Sequence, residues 1–323
     1  MIGTDTSIMQ AVYSALPDRG EIRSAVPMNK GFSSEAWLVD SLSGPLLAKI
    51  ALRYPDGSRL ANAAAAVKIA RDLGVPTPNF LHISTSQETF GGRAFSVSEF
   101  IPGQDGQDTV PYMDRETRAR FFGEWGMVVG RLHMVEREMF AEDALGSGAT
   151  SSWADMVTSR LAALPGKYKD AGMEFDAIAD AVGRLQASVG EVSRSVRPGL
   201  AHGDLYLANI LATEDRLAGL LDFEHARFWD PVADFVKLMV FVFHDFPEAR
   251  PAFLDGYQQI RKLPDAFFAR LSIAFGLELV STIPFFYRWG DKTVLATYQQ
   301  WLAQWLISGE EVVHSFGQNV NMK

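Results

Sequence analysis

The hydrophobic and polar positions of the first hundred residues follow two different periods. After the polar residues 5–7, apolar side chains recur at helical spacing and predict a short helix that ends at Pro17. Short apolar runs at 36–39, 45–50 and 94–101 are separated by turn sequences, a pattern typical of strands. An alanine-rich stretch at 60–73 predicts one helix between these strands, because a glycine and a proline follow it.

After Pro102-Gly103 the pattern becomes mainly helical. Long amphipathic stretches predict helices at 114–135, 152–163, 175–196, 233–244, 265–281 and 293–308. A β-hairpin is predicted by apolar runs at 210–213 and 217–221, which a polar turn separates. We therefore predict an α+β fold with a small β-rich N-terminal lobe, a joint and a larger, mostly helical C-terminal lobe. A cleft between two such lobes is a usual place for a ligand.

Composition excludes several classes of protein. The 323 residues are 47% apolar and carry a formal net charge of −9, which does not fit a disordered chain or favour a nucleic-acid partner. No cysteine is present, so disulfide frameworks and cysteine-ligated metal sites are excluded. The densest apolar run, 238–243, is too short for a membrane span, and the first residues do not have the pattern of a secretory signal. We expect a cytoplasmic protein without a membrane partner.

The negative charge is concentrated in the middle of the chain. Residues 99–222 carry a net charge of −8, whereas residues 1–98 carry +1 and residues 223–323 carry −2. Most of these acidic residues are expected on solvated helix surfaces. Some of them could face a cationic substrate if a site lies in this part of the chain.

Two segments around the predicted hairpin contain the residues that point to a chemistry. The first, 201–211, reads AHGDLYLANIL and contains Asp204 and Asn209; the second, 220–225, reads LLDFEH and contains Asp222. Because a short hairpin returns the chain beside its start, these three side chains can converge. Carboxylate and amide oxygens suit Mg²⁺. A carboxylate that orients a hydroxyl, together with cations that neutralise phosphates, is what phosphoryl transfer requires.

These two segments resemble the catalytic and metal-binding motifs of the aminoglycoside phosphotransferase and choline kinase group, small-molecule kinases with a bilobal protein-kinase-like fold. The resemblance covers most of the chain in order and is specific at 201–224. It implies that Asp204 is the catalytic base and that Asn209 and Asp222 bind Mg²⁺. It also implies an N-terminal nucleotide-binding lobe at 1–98, a hinge at 99–103 and a C-terminal lobe at 104–323.

The same resemblance assigns nucleotide contacts in the N-terminal lobe. Lys49 stands in a strand at the place of the lysine that binds the nucleotide phosphates, and Gly31, Ser33 and Ser34 belong to the phosphate-covering turn. The family's glutamate partner for that lysine is missing, because no glutamate occurs between Lys49 and Gly74. Three alternatives could orient Lys49: Asp56, Asn62 or the phosphates themselves.

The hinge prediction places Glu99 and Ile101 beside the nucleotide base. Hinge contacts use backbone groups, so the sequence does not distinguish ATP from GTP. Outside the active site, Asp234 is expected to tie down the catalytic segment, and His133 and His202 are expected to be buried hydrogen-bonding residues.

The identity of the molecule that accepts the phosphate depends on residues of the helical lobe. Glu224 and Asp230 are candidate contacts for a cationic substrate, and aromatic residues at 285–305 are more typical of a helical core than of a pocket. Residues 104–196 and the C-terminal region resemble hygromycin-type phosphotransferases. The sequence favours a kinase of an aminoglycoside or related antibiotic that confers resistance. Alternatives are a metabolite kinase acting on choline, homoserine or a sugar amine, and a nucleotide-binding pseudokinase. The sequence does not indicate an oligomeric state.

Overall fold

The computed structural model describes residues 2–28 and 33–315, and the chain divides into two compact units. The first unit comprises Met1–Asp114 and Leu207–Ala226, and the second comprises Arg115–Tyr206 and Arg227–Lys323. The predicted hinge at 99–103 stays a prediction.

The described residues form twelve α-helices and ten β-strands. The helices are α1 (Asp5–Ala15), α2 (Ser58–Asp72), α3 (Gly106–Thr109), α4 (Arg115–Leu132), α5 (Trp153–Ala162), α6 (Leu164–Ala171), α7 (Ala179–Val192), α8 (Phe235–Leu238), α9 (Ala249–Ile260), α10 (Phe267–Trp289), α11 (Lys292–Ser308) and α12 (Glu310–Ser315). The strands are β1 (Ile22–Met28), β2 (Ser34–Ser41), β3 (Gly44–Ala51), β4 (Phe80–Gln87), β5 (Arg93–Glu99), β6 (Gln104–Asp105), β7 (Gly199–Ala201), β8 (Ile210–Ala212), β9 (Leu217–Leu220) and β10 (Arg227–Trp229).

The first unit is built on an antiparallel sheet with the strand order β1-β2-β3-β5-β4. Alternate residues of β3, namely Leu46, Ala48 and Ile50, are buried against α1, whose apolar face completes this core. Lys49 lies between them in the sequence and therefore projects from the opposite face of the sheet. The alternation of β3 thus builds the core on one face and presents a lysine on the other.

The three predicted strands are confirmed, but β1 and β4 were not predicted. Both are edge strands of the sheet. Pro27 lies in β1, and an edge strand tolerates proline because one of its sides forms no ladder hydrogen bonds. β4 is rich in polar residues, so it lacks the apolar run that marked the other strands.

The predicted hairpin is confirmed as β8 and β9, and β6 pairs with β8 at its other side. The Leu220 amide donates to the Pro76 carbonyl (2.7 Å), and the Leu221 amide donates to the Asn209 carbonyl (2.8 Å). These bonds fix both ends of the hairpin within the first unit, where Asn209 and Asp222 flank it.

The second unit is mainly helical, and all six predicted helices are present with shifted ends. The stretch at 233–244 forms a short turn, α8 and then a π-helical segment, Met239–Phe243. α9 was not predicted, because Pro251 and Gly256 interrupt its pattern; the proline lies in the first turn, where no helical amide bond is lost. Among the described residues α10 has the length and composition of a membrane span, yet 72% of its most apolar window is buried, as in a core helix.

Glycines allow α4 and α9 to approach each other closely. A Cβ added at Gly126 would lie 2.0 Å from the Phe253 carbonyl oxygen, and one at Gly256 would lie 2.0 Å from the Gly123 carbonyl oxygen. Any side chain at these two positions would therefore force the helices apart.

We expect Gly126→Ala to destabilise the protein by about 1–3 kcal/mol, because the added methyl group collides with rigid backbone. Gly183→Ala, on α7, is the matched control. An added Cβ there has no neighbouring atom within 4 Å, so this change should be neutral or stabilise the protein by up to about 1 kcal/mol. Thermal unfolding measures both. Equal midpoints for the two variants would contradict close packing of α4 on α9.

Candidate active site

The first unit contains a cavity of about 380 Å³, a size typical of small-molecule sites. Its walls come from the face of the sheet that carries Lys49, from α2 and from the segments on either side of the β8–β9 hairpin. The polar residues that line it are Ser33, Ser34, Lys49, Tyr54, Arg59, Thr77, Ser96, Ser98, Asn209, Asp222 and Glu224. The cavity therefore collects most of the nucleotide- and metal-binding residues assigned from the sequence.

Lys49 is half-buried in the cavity wall, and within the described residues its ammonium group has no hydrogen-bond or ion-pair partner. Asp56, one of the alternatives considered from the sequence, instead accepts hydrogen bonds from the backbone amide and hydroxyl of Ser58 (3.2 and 3.0 Å). A half-buried cation without a counter-ion favours an anionic ligand in this cavity.

Asn62, the second residue considered as a partner of Lys49, makes its hydrogen bonds elsewhere. It is 5% exposed, and its side-chain amide donates to the carbonyls of Glu224 (3.1 Å) and Ala226 (2.9 Å). Arg59, one turn earlier on α2, donates to the same Glu224 carbonyl (3.1 Å). α2 is therefore anchored to the segment that follows Asp222.

Asn209 and Asp222 lie at the two ends of the hairpin and both line the cavity. Asp222 adopts φ 62° and ψ 64°, a left-handed conformation that is uncommon outside glycine. Such strain is typical of functional sites.

Among the described residues no cluster of three or more histidine or carboxylate side chains could hold a metal. An amide and a carboxylate suit a Mg²⁺ ion whose other ligands are phosphate oxygens and water.

The remaining assignments in the first unit fall into three groups. Ser33 and Ser34 line the cavity, whereas Gly31 lies outside the described residues. Glu99 and Ile101 are not among the described lining residues; the cavity wall ends nearby at Ser98. Their contact with a nucleotide base stays a prediction. Glu224 does line the cavity, and its carbonyl is the acceptor already described.

Thr77 is a lining residue that the sequence did not reveal. It is 2% exposed, and its hydroxyl is the one buried side-chain oxygen in the described cavity wall that has no hydrogen-bond partner. Buried hydroxyl groups are almost always satisfied, so this one points to a missing ligand. No motif surrounds Thr77, and its position becomes meaningful after folding brings it to the cavity.

Asp204 belongs to the second unit, and its convergence with Asn209 and Asp222 stays a prediction. There it forms an ion pair and hydrogen bond with Lys237, and the two side chains are 15% and 28% exposed. Lys237 was not singled out from the sequence, because it lies 33 residues further along the chain on α8.

A buried carboxylate holds the segment before Asp204. Asp234 is 2% exposed and accepts hydrogen bonds from the backbone amides of His202 and Gly203, both at 2.7 Å. His133 Nε2 lies 3.0 Å from the same carboxylate, and His133 Nδ1 lies 3.1 Å from the Tyr257 hydroxyl. The expected role of Asp234 in holding this segment is confirmed, although its side chain does not cap α8. His133 and His202 are confirmed as buried hydrogen-bonding residues, because both are 0% exposed and His202 Nδ1 accepts the Asp204 amide (3.2 Å).

The charge of Asp234 is balanced by its neighbours. Burial alone would raise the pKa of Asp234, but the hydrogen bond from His133, the charges of His133 and His202 and the Gly203 amide outweigh it. The pKa of Asp234 therefore lies below its usual value, and the group stays ionised.

Asp230, assigned from the sequence as a substrate contact, is buried in an ion pair. Its two oxygens accept hydrogen bonds from Arg270 Nη2 (2.6 Å) and Nε (3.0 Å), and one also accepts from the Val232 amide (3.0 Å). Both side chains are at most 4% exposed. This geometry favours a structural role for Asp230, and a substrate contact at this residue stays an untested prediction.

Comparison with known families and structures gives the context of this site. The profile of the APH phosphotransferase enzyme family matches residues 24–269. A search among curated proteins finds no match.

Solved structures similar to this chain cover nearly its whole length. One is a thermostable mutant of the aminoglycoside phosphotransferase APH(4)-Ia in a ternary complex with ADP and hygromycin B, with 16% identity, 94% of this chain and 99% of that chain covered and a TM-score of 0.67. Another is a putative fructosamine-3-kinase from Thermobifida fusca, with 17% identity, 94% and 100% covered and a TM-score of 0.70. A third is a mutant of the aminoglycoside 2'-phosphotransferase-IIIa in complex with GDP, with 18% identity, 98% and 100% covered and a TM-score of 0.65.

At these identities the similarity shows the fold. The predicted α+β, protein-kinase-like fold is therefore confirmed, with an N-terminal antiparallel sheet and a mainly helical C-terminal part.

We expect Asp234→Asn to lower the stability by about 3 kcal/mol, because an amide cannot accept three hydrogen bonds without turning an N–H toward one donor. Since folding lowers the pKa of Asp234, its charge stabilises the wild type above pH ~4, and this contribution is lost as the pH falls further. Thermal unfolding from pH 7 to pH 3 measures both effects.

The matched control is Asp255→Asn, an exposed carboxylate on α9. It should leave the midpoint and its acid dependence almost unchanged. If Asp234→Asn unfolds at the wild-type temperature at pH 7, the buried network does not hold the segment before Asp204.

Proposed function

The chain belongs to the phosphotransferase enzyme family and is a small-molecule kinase, and we propose that it transfers the γ-phosphoryl group of a magnesium nucleotide, ATP or GTP, to a hydroxyl group of its acceptor. The observation that carries this proposal is the common cavity of Lys49, Asn209 and Asp222. The ammonium group of Lys49, which has no partner within the described part of the chain, lines this cavity together with two side chains that offer oxygen ligands to a metal ion.

A nucleotide fits the composition of this cavity. The sheet and α2 contribute apolar side chains, among them Leu47, Val67 and Phe80, against which a purine can pack. Thr77 would then donate its unpaired hydroxyl to the ligand, as a buried hydroxyl requires a partner. The backbone of Glu99 and Ile101 is proposed to border the base at the hinge.

The phosphates would lie toward Lys49. Its ammonium group supplies the positive charge that the α- and β-phosphates require, and Ser33 and Ser34 offer hydroxyl and amide donors beside it. The adjacent residue Gly31 is proposed to complete this turn.

Asn209 and Asp222 are the residues that would hold Mg²⁺. The ion neutralises charge on the β- and γ-phosphates when it is bound. The strained backbone of Asp222 and the anchoring of the next residues by Asn62 keep that carboxylate at the cavity wall before any ligand arrives.

Asp204 is the proposed catalytic base. Its carboxylate orients the acceptor hydroxyl and accepts its proton while the acceptor oxygen forms a bond to the γ-phosphorus and the bond to the β-phosphate oxygen breaks. The nucleoside diphosphate leaves with the electrons of that bond. Asp234 fixes the backbone just before Asp204, so that the base does not need to be ordered during the reaction.

For the acceptor we propose an aminoglycoside or a related antibiotic, in which case the enzyme confers resistance. Support comes from the fold of APH(4)-Ia and of the 2'-phosphotransferase, and Glu224 at the cavity is the acidic contact that remains available for this role. The likeness to a putative fructosamine-3-kinase supports a second candidate, a kinase of sugar amines. A cytoplasmic location remains part of the proposal.

Exposure of a host that expresses the gene to aminoglycosides separates these candidates. Reduced sensitivity that Asp204→Asn abolishes supports the antibiotic kinase. Unchanged sensitivity, together with a one-phosphate mass gain on a sugar amine, supports the metabolite kinase. Nucleotide binding without phosphoryl transfer to any hydroxyl compound would overturn both and favour a pseudokinase.

We expect Asp204→Asn to lower kcat by about 10²–10⁴-fold, because the amide cannot accept the proton. Lys49→Ala should instead weaken nucleotide binding about tenfold or more, because a charged hydrogen bond to phosphate is lost. Nucleotide titration and steady-state kinetics separate the two effects.

Lys68→Ala, at an exposed position of α2, is the control for loss of a lysine and should behave as wild type. If Asp204→Asn retained wild-type kcat, the proposed base would be wrong.

A separate prediction concerns the unpaired hydroxyl. Thr77→Val keeps the shape of the side chain and removes a buried group without a partner, so the ligand-free protein should be as stable as wild type or slightly more stable. The same change should reduce nucleotide affinity by up to about tenfold. Thermal unfolding with and without Mg-nucleotide measures both; an unchanged nucleotide-induced shift would exclude Thr77 from the binding site.

A further inference from the structure

In the second unit, Lys237 links Asp204 to further polar side chains. We call this group the Asp204 cluster and define it as Asp204, Tyr206, Lys237 and Glu278. The Lys237 ammonium group contacts the Asp204 carboxylate and lies 5.5 Å from the centroid of the Tyr206 ring. Glu278, on α10, adds a second negative charge near the same ammonium group.

Two carboxylates and the face of an aromatic ring form the environment that proteins use to bind ammonium ions. Burial lowers the pKa of Lys237, but the charges of Glu278 and Asp204 outweigh it and hold the pKa above its usual value. At neutral pH the cluster therefore contains its own ammonium ion, covalently attached to α8.

The Asp204–Lys237 pair remains accessible, in contrast to the buried Asp230–Arg270 pair of the same unit. The side chains of Asp204 and Lys237 are 15% and 28% exposed, whereas those of Asp230 and Arg270 are 3% and 4% exposed. A purely structural pair can be sealed from solvent. An open pair at the proposed base lies where an acceptor has to arrive.

The π-helical segment Met239–Phe243 adds aromatic side chains beside the accessible Asp204–Lys237 pair. It directly follows α8 and carries Phe241, which is 37% exposed. The Phe241 ring lies 6.4 Å from that of Tyr206 and 6.3 Å from that of Trp301. Aromatic rings beside the Asp204 cluster provide a face on which a sugar ring can stack.

We propose that Lys237 is a specificity-determining residue of the acceptor site: its ammonium group occupies the position at which an ammonium group of the acceptor would bind. The enzyme then selects acceptors that carry no ammonium group beside the reacting hydroxyl. A neutral sugar ring can contact the aromatic rings, whereas an adjacent cation is repelled by Lys237 and finds the Asp204 carboxylate already paired.

This inference rests on the proposed role of Asp204 as the base, and its test is independent of phosphoryl transfer. Lys237→Ala removes the side chain beyond Cβ, which corresponds to n-propylammonium. In the full-length variant we expect n-propylammonium to bind about tenfold more tightly than to wild type, because it restores the missing cation. Thermal unfolding against n-propylammonium chloride, with NaCl at equal ionic strength, measures this binding.

Two further variants control the experiment. Lys169→Ala removes an exposed lysine of α6 and should bind n-propylammonium no better than wild type. Glu278→Gln combined with Lys237→Ala should lose most of the gained affinity. A folded Lys237→Ala that n-propylammonium does not stabilise saturably, or a gain that Glu278→Gln leaves intact, would overturn the proposal.

If Lys237→Ala does not fold, Lys237→Met provides the test, because it fills the space without a charge. Glucosamine should then stabilise Lys237→Met more than glucose does, whereas wild type shows no such excess. An equal difference between the two sugars in both proteins would overturn the proposal. Ammonium binding without kinase activity would retain the site and contradict the proposed function instead.

Discussion

The Asp234 carboxylate holds the backbone on which the position of Asp204, the proposed base, depends. It accepts the backbone amides of His202 and Gly203, two residues that lead directly into Asp204, and it stands at the start of α8, which carries Lys237. One residue therefore connects the two segments that carry the Asp204–Lys237 pair: its carboxylate holds the backbone before Asp204, and its backbone precedes α8. Because a buried carboxylate is costly unless its hydrogen bonds are all formed, this arrangement has little freedom to vary.

In the first unit, Lys49 depends on the proposed nucleotide for a counter-ion. Within the described residues nothing pairs with Lys49, and α2 uses Asn62 to hold the chain after Asp222 instead of pairing with the lysine. A neutral amide serves this purpose better than a carboxylate, because the partners of Asn62 are two carbonyl oxygens that a carboxylate would repel. We therefore propose that the nucleotide phosphates, rather than a glutamate of α2, are the counter-ions of Lys49.

The sequence predicted the elements and motifs that depend on neighbouring residues, and it missed the residues whose role depends on contacts between distant parts of the chain. The hairpin and its flanking motifs were predictable because 201–224 is one short stretch in which spacing determines position. β1 and β4 were missed because edge strands are not required to be apolar on a regular pattern. Thr77 and Lys237 were missed for another reason: neither belongs to a motif, and their chemistry arises from neighbours that are distant along the chain.

The acidic middle of the chain shows why net charge was a poor guide to the acceptor. Most of its carboxylates lie on the exposed surface, and some of those that have partners bind within the fold: Glu142 pairs with Arg160, and Asp143 accepts the amides of Leu145 and Ser147. Asp204 is the acidic residue of that region at the proposed base, and a lysine from outside the region neutralises it. The charge that an acceptor meets is therefore a property of the Asp204 cluster rather than of the segment. Lys237 on α8 changes the Asp204 cluster from a surface that would bind an ammonium group into one that suits the face of a neutral sugar.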